Sequence, residues 1–366
     1  MSKIEQLIQQ LCPEGVEYKK LGEVCEMRRG TAITKKDVVE GDIPVIAGGQ
    51  TPAYYCDKSN RTGETITVAG SGAYAGFVQY WTCPIFVSDA FSVKGNSELL
   101  TKFVFYILSN MQDEIYQTKK GGGVPHVHIS SIENFLIPLP PLAVQQEIVR
   151  ILDAFTELEA ELEAELEARK KQYAYYRDTL LSFEHDDPKV EWKRLGEVCE
   201  IKRGKRVVRK DLKEEGDCPV YQNSLIPLGF YDKANYKANT TFVISAGAAG
   251  DIGYSKTDFW AADDCLGIPD SDRVISRYVY HFLLTKQKFI KGRVRKASVP
   301  RLAHSVIDHL EIPLPPLPVQ QEIARTLDKF EAITTDLQSG LPAEIEARKK
   351  QYEYYRDQLL SFKVKN

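Results

Sequence analysis

No run of apolar residues approaches the roughly 20 needed to cross a bilayer, and residues 1–10, MSKIEQLIQQ, have neither a basic start nor an apolar signal core. The expectation is a cytosolic protein with no membrane contact. Cysteine pairing is missing as well. The seven cysteines are odd in number and lack any C-x-x-C spacing, which argues against a zinc ribbon and fits reduced thiols in or near the core. G-x-x-x-x-G-K-[ST] is absent, so there is no P-loop, and no G-x-S-x-G elbow accompanies the polar residues Ser71, Ser88, Asp89, Asp263 and Asp264. AGSGAYAG at 69–76 spaces its glycines one residue too widely for a dinucleotide fingerprint and leads into another β-like run, so it reads as a tight turn. His126 and His128 offer two metal ligands without a third nearby. No catalytic residue, metal site or cofactor is therefore expected on this chain. A composition 43% hydrophobic and 27% charged excludes disorder, and a net charge of −3 excludes a uniformly basic binder.

What is present is a duplication. YKKLGEVCEMRRG at 18–30 matches WKRLGEVCEIKRG at 192–204, an offset of 174 residues (192 minus 18). The offset is 175 from GDIPV at 41–45, matching GDCPV at 216–220, through IPLPPLAVQQEIVRILDAF at 137–155, matching IPLPPLPVQQEIARTLDKF at 312–330. ELEARKKQYAYYRDTLLSF at 165–183 then matches EIEARKKQYEYYRDQLLSF at 344–362 at an offset of 179, so the second copy is four residues longer there. A period this long means two domain-sized copies, since solenoid units run roughly 20 to 50 residues. The expected division is a module at 1–136, a helix at 137–183, a hinge at 184–191 containing EHDDPK, a second module at 192–311 and a second helix at 312–366.

The two kinds of segment differ in periodicity. From Val144, apolar and aromatic residues at 148, 151, 155, 158, 162, 166, 173, 176, 180 and 183 fall mostly three or four apart. That predicts a helix of about 40 residues, roughly 60 Å long. Its expected partner is the matching stripe of the second copy, which includes Leu337, in an antiparallel coiled pair. SGLP at 339–342 predicts a kink, because Gly ends helices and Pro starts them. The PLPPL segments read as stiff leads into the helices. In the first helix ELEA occurs three times, at 157–168. A solvated acidic face accounts for the charge but not for the repetition. Each tetrapeptide adds about 6 Å and about 40° of rotation, so the helix has the properties of a ruler. The modules carry short β-rich runs such as TITVAG, GFVQYW and PIFVSDAF between Gly, Asn and Pro, then a helical stretch at 99–115. The predicted fold class is α+β, two mixed modules in pseudo-twofold arrangement separated by two long antiparallel helices.

Basic residues are the positive signal. The second module has roughly six more Lys and Arg than Asp and Glu, many of them in KQKFIKGRVRKASVPR at 286–301. The matching stretch of the first module is TKKGGGVPH at 118–126, where glycines let backbone N–H groups approach a phosphate. A solvated loop explains either segment alone; basic loops at one place in both copies favour an anionic ligand. The candidate DNA contacts are Lys35, Lys36, Ser71, Lys102, Lys119, Lys120, Gly122 and His126 in the first module. In the second they are Arg206, Arg277, Lys291, Arg293, Arg295, Lys296, Ser298 and Arg301. Gln50, Gln222 and Asn223 have side chains able to pair bidentately with adenine, and Arg206 or Arg293 with guanine. Lys102 aligns with Arg277, Lys120 with Arg295 and Asp89 with Asp264, so phosphate contacts are expected to be shared. The loops IAGGQTPAYY at 46–55 and YQNSLIPLGF at 221–230 disagree, as readers of two different sequences should.

The paired VEYKKLGEV and VEWKRLGEV segments, the paired IPLPPL…VQQEI…LD helix starts and the paired EARKKQY…YYRD…LLSF ends resemble the specificity subunit of type I restriction-modification systems over nearly the whole chain. The resemblance implies a non-catalytic subunit whose modules are target recognition domains, each reading half of a split double-stranded DNA target. It implies that the helices set the spacing and hold two modification subunits, and that tetrapeptide repeats set spacer length. It further implies S-adenosylmethionine for adenine methylation, and ATP with Mg2+, on the modification and restriction subunits rather than on this chain. By carry-over, Gln145, Gln146, Phe155, Tyr173, Tyr176, Gln320, Gln321, Phe330, Tyr352 and Tyr355 belong to the subunit or helix interface. Two other readings stay open on the residues alone: a coiled-coil adaptor whose modules bind proteins, and an enzyme with an unrecognised site.

Overall fold

The computed structural model describes residues 3–34, 36, 38–336 and 339–365. Lys35 and Leu337 lie outside the described residues. The chain forms two compact units, Met1–Glu161 with Ile345–Asn366, and Leu162–Glu344. These units do not follow the division into modules and helices. Each takes one module, the near half of the central helix, and a stretch of the second copy's helix.

Unit 1 is built on Thr65–Ala69, whose TITVA sequence is β-branched at four of five positions and buried at all five. It is an inner strand of a four-stranded antiparallel sheet ordered Cys25–Arg29, Ala90–Gly95, Thr65–Ala69, Val78–Trp81. A smaller sheet pairs Ile43–Ile46 antiparallel with Tyr54–Cys56 and parallel with Phe86–Val87. Helix Thr101–Asn110 buries Phe103, Val104, Ile107 and Leu108 in the core that also contains Ile66, Val68 and Val93. Tyr18–Lys20 pairs with Leu136–Pro138, which ties together the two ends of the module. In unit 2 the same plan recurs, with a four-stranded sheet of Lys202–Arg203, Cys265–Ile268, Thr240–Ile244 and Ile252–Ser255, a three-stranded sheet around Pro219–Tyr221, and a clamp of Glu191–Arg194 with Glu311–Leu314. Its module helix, Ser276–Gly292, is one long element where unit 1 has two short ones, Thr101–Asn110 and Gln112–Gln117.

The central helix runs unbroken over Leu142–Leu180, and the boundary between units falls inside the ELEA repeats, between Glu161 and Leu162. Its first turns are buried at Val144, Ile148 and Leu152, whereas the leucines of the repeats are only half-buried. Within unit 1 it packs antiparallel to the Leu341–Leu360 helix: Phe155 stacks on Tyr355 at 5.6 Å and meets Tyr352 at 6.2 Å, and Glu159 pairs with Lys349 at 3.3 Å. Within unit 2, Tyr176 stacks on Phe330 at 5.0 Å. The second copy's helix is in two pieces, Leu317–Thr335 and Leu341–Leu360, as the Gly-Leu-Pro segment predicts. The Gly340 N–H donates to Asp336 O at 3.0 Å across the break. All seven cysteines are free, and six are buried.

One element of unit 1 has no separate helix matching it in unit 2 among the described residues. Helix Lys3–Leu11 lies in unit 1 with Ile4 in the shared core, and Lys3 Nζ reaches Glu147 at 2.8 Å. Hydrogen bonds from Arg150 and Lys3 hold the Glu147 carboxyl well below its ordinary range, at about 2. The equivalent Glu322 of unit 2 is exposed and, among the described residues, pairs with Arg325 alone, at 2.6 Å.

Candidate nucleic-acid interface

In each module three loops meet at one end of the large sheet; backbone hydrogen bonds tie two of them in unit 1, where the third is in close contact, and all three in unit 2. In unit 1 the strand Thr65–Ala69 runs into a turn in which Gly72 and Gly76 have φ of +89° and +86°, values that L side chains rarely adopt. This turn occupies the glycine-rich segment read as a tight turn. Ser71 bridges to His126, the Gly72 N–H donates to Pro125 O at 3.0 Å, and Lys120 and His126 exchange backbone bonds of 3.0 and 2.8 Å. Gly48, in the third loop, lies so close that a Cβ there would collide with the Ser71 carbonyl oxygen. Unit 2 repeats the construction. Ala246 bridges to Arg301, the Gly247 N–H donates to Pro300 O at 3.1 Å, Arg295 and Arg301 exchange bonds of 2.8 and 3.2 Å, and the Ala248 N–H donates to Asn223 O at 2.9 Å.

Charge sits on this platform. Lys120 is exposed, as are Arg295, Lys296 and Arg301, and none of these four is ion-paired among the described residues. Lys119 lies 4.0 Å over the Tyr116 ring, Gly122 stands in open space, and Ser298 is exposed. Ser71 Oγ donates to Asp89, while His126 stacks on His128 at 5.9 Å beside a cleft of about 350 Å3 that Arg29, Ser88 and Asp89 also line. Gln50 is exposed at the tip of the third loop, its carbonyl accepting from Gln79 Nε2 at 2.7 Å. Gln222 and Asn223 occupy the corresponding loop of unit 2, Asn223 exposed and Gln222 half-buried. Lys36 and Arg206 are exposed on the loops that follow the first strand of each large sheet.

Several sequence expectations are corrected. Lys102 and Arg277 are not on the platform. Lys102 Nζ pairs with Asp153 at 2.8 Å, and the Arg277 guanidinium, only 12% exposed, joins Asp328 at 2.6 Å and Glu331. Both cations tie a module helix to a spacer helix within its own unit. His281, Asp328 and Glu331 form a group of potential metal ligands, but both carboxylates are already held by Arg277. Gln145 and Gln320 are no subunit contacts either, being fully buried. Gln145 Oε1 accepts from the Leu100 N–H at 2.9 Å, and its Nε2 donates to the Glu98 and Pro140 carbonyls at 2.8 and 2.7 Å. Gln320 does the same with Ile275, Arg273 and Pro315, at 3.0, 3.0 and 2.9 Å. A buried amide with its donors and acceptor met locks each helix start to its module. Gln146 and Gln321 are exposed. Phe155, Tyr176, Phe330, Tyr352 and Tyr355 pack helix on helix within their units, and the Tyr173 hydroxyl bonds His281 at 3.1 Å. Lys291 pairs with Asp251 at 2.8 Å, and Arg293 covers the Phe289 ring in a separate cleft beside Trp192 and His185. The cationic platform of unit 2 is thus narrower than the basic segment 286–301.

Burial pushes the Cys25, Cys199 and Cys265 thiols up to about 12, so all three stay protonated at neutral pH and none is a nucleophile.

The family described as the type I restriction modification DNA specificity domain matches this chain twice, over residues 13–168 and 189–347. The chain belongs to the type I restriction-modification specificity subunits. It is 31% identical over 405 residues to the EcoR124I/EcoR124II specificity subunit of Escherichia coli, covering 99% of this chain and 98% of that protein. A second relative, from Haemophilus influenzae and described as a type I restriction enzyme specificity subunit, is 31% identical over 381 residues, with 95% and 96% covered. Among solved structures, the type I S subunit from M. genitalium shares the fold, with a TM-score of 0.69 at 22% identity over 94% of this chain and 95% of that one. A chain from a structure of type I complex assembly gives 0.55 at 18% identity, over 95% and 98%. A specificity subunit is the non-catalytic, DNA-targeting part of its complex, and the two family matches fall one on each copy of the repeat.

Proposed function

We propose that each unit of this specificity subunit reads one half of a bipartite duplex, through the three-loop platform, and that the helices set the gap between the halves. One observation carries the reading. The same loop construction, with free cations at its rim, occurs in both units on different loop-tip residues. Shared cations position a duplex without selecting sequence, while differing tips select it. The exposed faces of the helices, including Gln146, Gln321, Tyr175 and Tyr354, are where two modification subunits would dock. S-adenosylmethionine would be bound by those subunits, and ATP with Mg2+ by restriction subunits that join them, in the cytosol where the DNA lies.

The test is binding of the subunit, assembled with its modification partners, to a duplex carrying its target. Replacing Arg295, Lys296 and Arg301 by Ala should weaken binding and lower the slope of log affinity against log salt by about one for each phosphate no longer neutralised. An unchanged affinity and slope would remove the platform of unit 2 from the interface. Absence of duplex binding would favour a protein-binding adaptor.

A further inference from the structure

The two third loops are the same hairpin with opposite chemistry at the tip. Ala53 N–H donates to Val45 O at 2.9 Å in unit 1, and Leu228 N–H donates to Val220 O at 2.8 Å in unit 2, both pairs related by an offset of 175. Pro52 aligns with Pro227 at that offset, which fixes the register across the tip: Gln50 and Thr51 of unit 1 stand where unit 2 has Leu225 and Ile226. Ile226 is 78% exposed and Leu225 41%.

Ile226 is not on a loose strand of chain. Its N–H donates to Ser224 Oγ at 3.3 Å, and that hydroxyl donates to Ile226 O at 3.0 Å. Pro227 restricts it from the other side. The Asn223 carbonyl, three residues before it, is bound by the Ala248 N–H in the turn that also holds Pro300 and Arg301. A branched apolar side chain is thus held in water on a loop joined, through the turn at 246–248, to the segment that carries the free cations Arg295, Lys296 and Arg301. Exposed apolar surface next to cations suits a ligand that is polyanionic at its rim and apolar within. A duplex major groove meets that description where a thymine presents its 5-methyl group between phosphate walls. Val124 at 55% and Val299 at 48% are also exposed but are Val in both units, so they cannot distinguish the half-sites, and Tyr74, 46% exposed on the glycine turn, belongs to the platform of unit 1.

We infer that Leu225 and Ile226 read thymine by apolar contact with its methyl group in the half-site of unit 2, at the position where Gln50 and Thr51 of unit 1 read by hydrogen bonding. The inference rests on the platform being the DNA-reading surface.

The experiment is a cycle of paired deletions on the assembled methyltransferase. Once the half-site of unit 2 is known from the methylation pattern, each thymine in it is replaced singly by uracil, which removes only the methyl group. Wild type should bind one such duplex about fourfold less tightly, the factor for losing burial of one methyl-sized group. The Ile226→Ala, Leu225→Ala variant should bind thymine and uracil duplexes alike at that position while discriminating normally at the half-site of unit 1. Equal uracil effects in wild type and variant at every position would overturn the inference. Loss of discrimination at both half-sites in wild type would instead bring down the proposed function. Ile226→Val, which retains a branched side chain, should keep most of the effect and shows that the loop still folds.

Discussion

In unit 1, Lys102 reaches Asp153 and the Tyr106 hydroxyl donates to the same carboxylate at 2.5 Å. In unit 2 the matching places, each 175 further on, hold Arg277, Asp328 and His281, and Glu331 stands where unit 1 has Thr156. Arg277 serves both carboxylates, His281 Nε2 lies 2.7 Å from Asp328, and the Tyr280 hydroxyl donates to Glu331 at 2.6 Å. The planar fork of Arg277 meets two carboxylates in fixed geometry, whereas the Lys102 ammonium meets one. The position of the tie between module and helix has been kept, while the chemistry has moved from one half-exposed pair to a dense charged cluster. What the copies share is therefore a set of attachment points, with different interactions at them.

The largest expected effect follows from that difference. Arg277→Met leaves Asp328 and Glu331 facing each other in a partly buried site and should destabilise unit 2 by about 3 kcal/mol, the cost of breaking a buried pair. Lys102→Met removes a half-exposed pair and should cost unit 1 at most about 1 kcal/mol. Hydrogen exchange in the two module helices, Ser276–Gly292 and Thr101–Asn110, measures each unit inside the intact protein. An equal drop in protection in both helices would mean that the second carboxylate adds nothing.

A smaller effect separates the units by pH. Burial, reinforced by the Arg277 cation, holds His281 below its ordinary 6.5 in spite of the bond to Asp328. The unfolded chain takes up a proton near 6.5 that folded unit 2 resists, so stability is fully present above that pH and falls as pH drops through it. Asp328 is held below 3.8 and does not titrate in this window. Tyr106 in unit 1 is pushed up by burial and stays protonated throughout. Lowering pH from about 7.5 to about 5.5 should therefore lower the protection factors of unit 2, referenced to the intrinsic exchange rate at each pH, and leave those of unit 1 unchanged, and His281→Tyr should abolish the contrast. A pH response that survives His281→Tyr would place its source elsewhere.

The duplication, the long helix, its partner's break and the glycine turn are all legible in the sequence, because each is a local pattern of spacing or residue type. Lys102 and Arg277 are not, since their acidic partners stand 51 residues away, as the hydrogen bonds to Asp153 and Asp328 record. A basic residue on a helix shows its charge but not what the fold sets opposite it. Gln145 and Gln320 mislead for the same reason. The resemblance puts them at an interface, whereas the carbonyls and N–H groups they satisfy belong to loops folded over them. The weight of Leu225 and Ile226 is invisible in the sequence too, because an apolar pair in a loop reads as core until burial and hydrogen bonds show that it faces water.

Two readers on equivalent frames, with a helix setting the gap between their half-sites, is the claim most open to direct test. Deleting residues 161–164, one ELEA tetrapeptide at the boundary between the units, removes about 6 Å of helix. Sequencing the methylated sites of cells that carry the variant with its partner subunits should show both half-sites unchanged and the gap between them shorter by one or two base pairs, at about 3.4 Å each. An unchanged gap, or an altered half-site, would contradict the account.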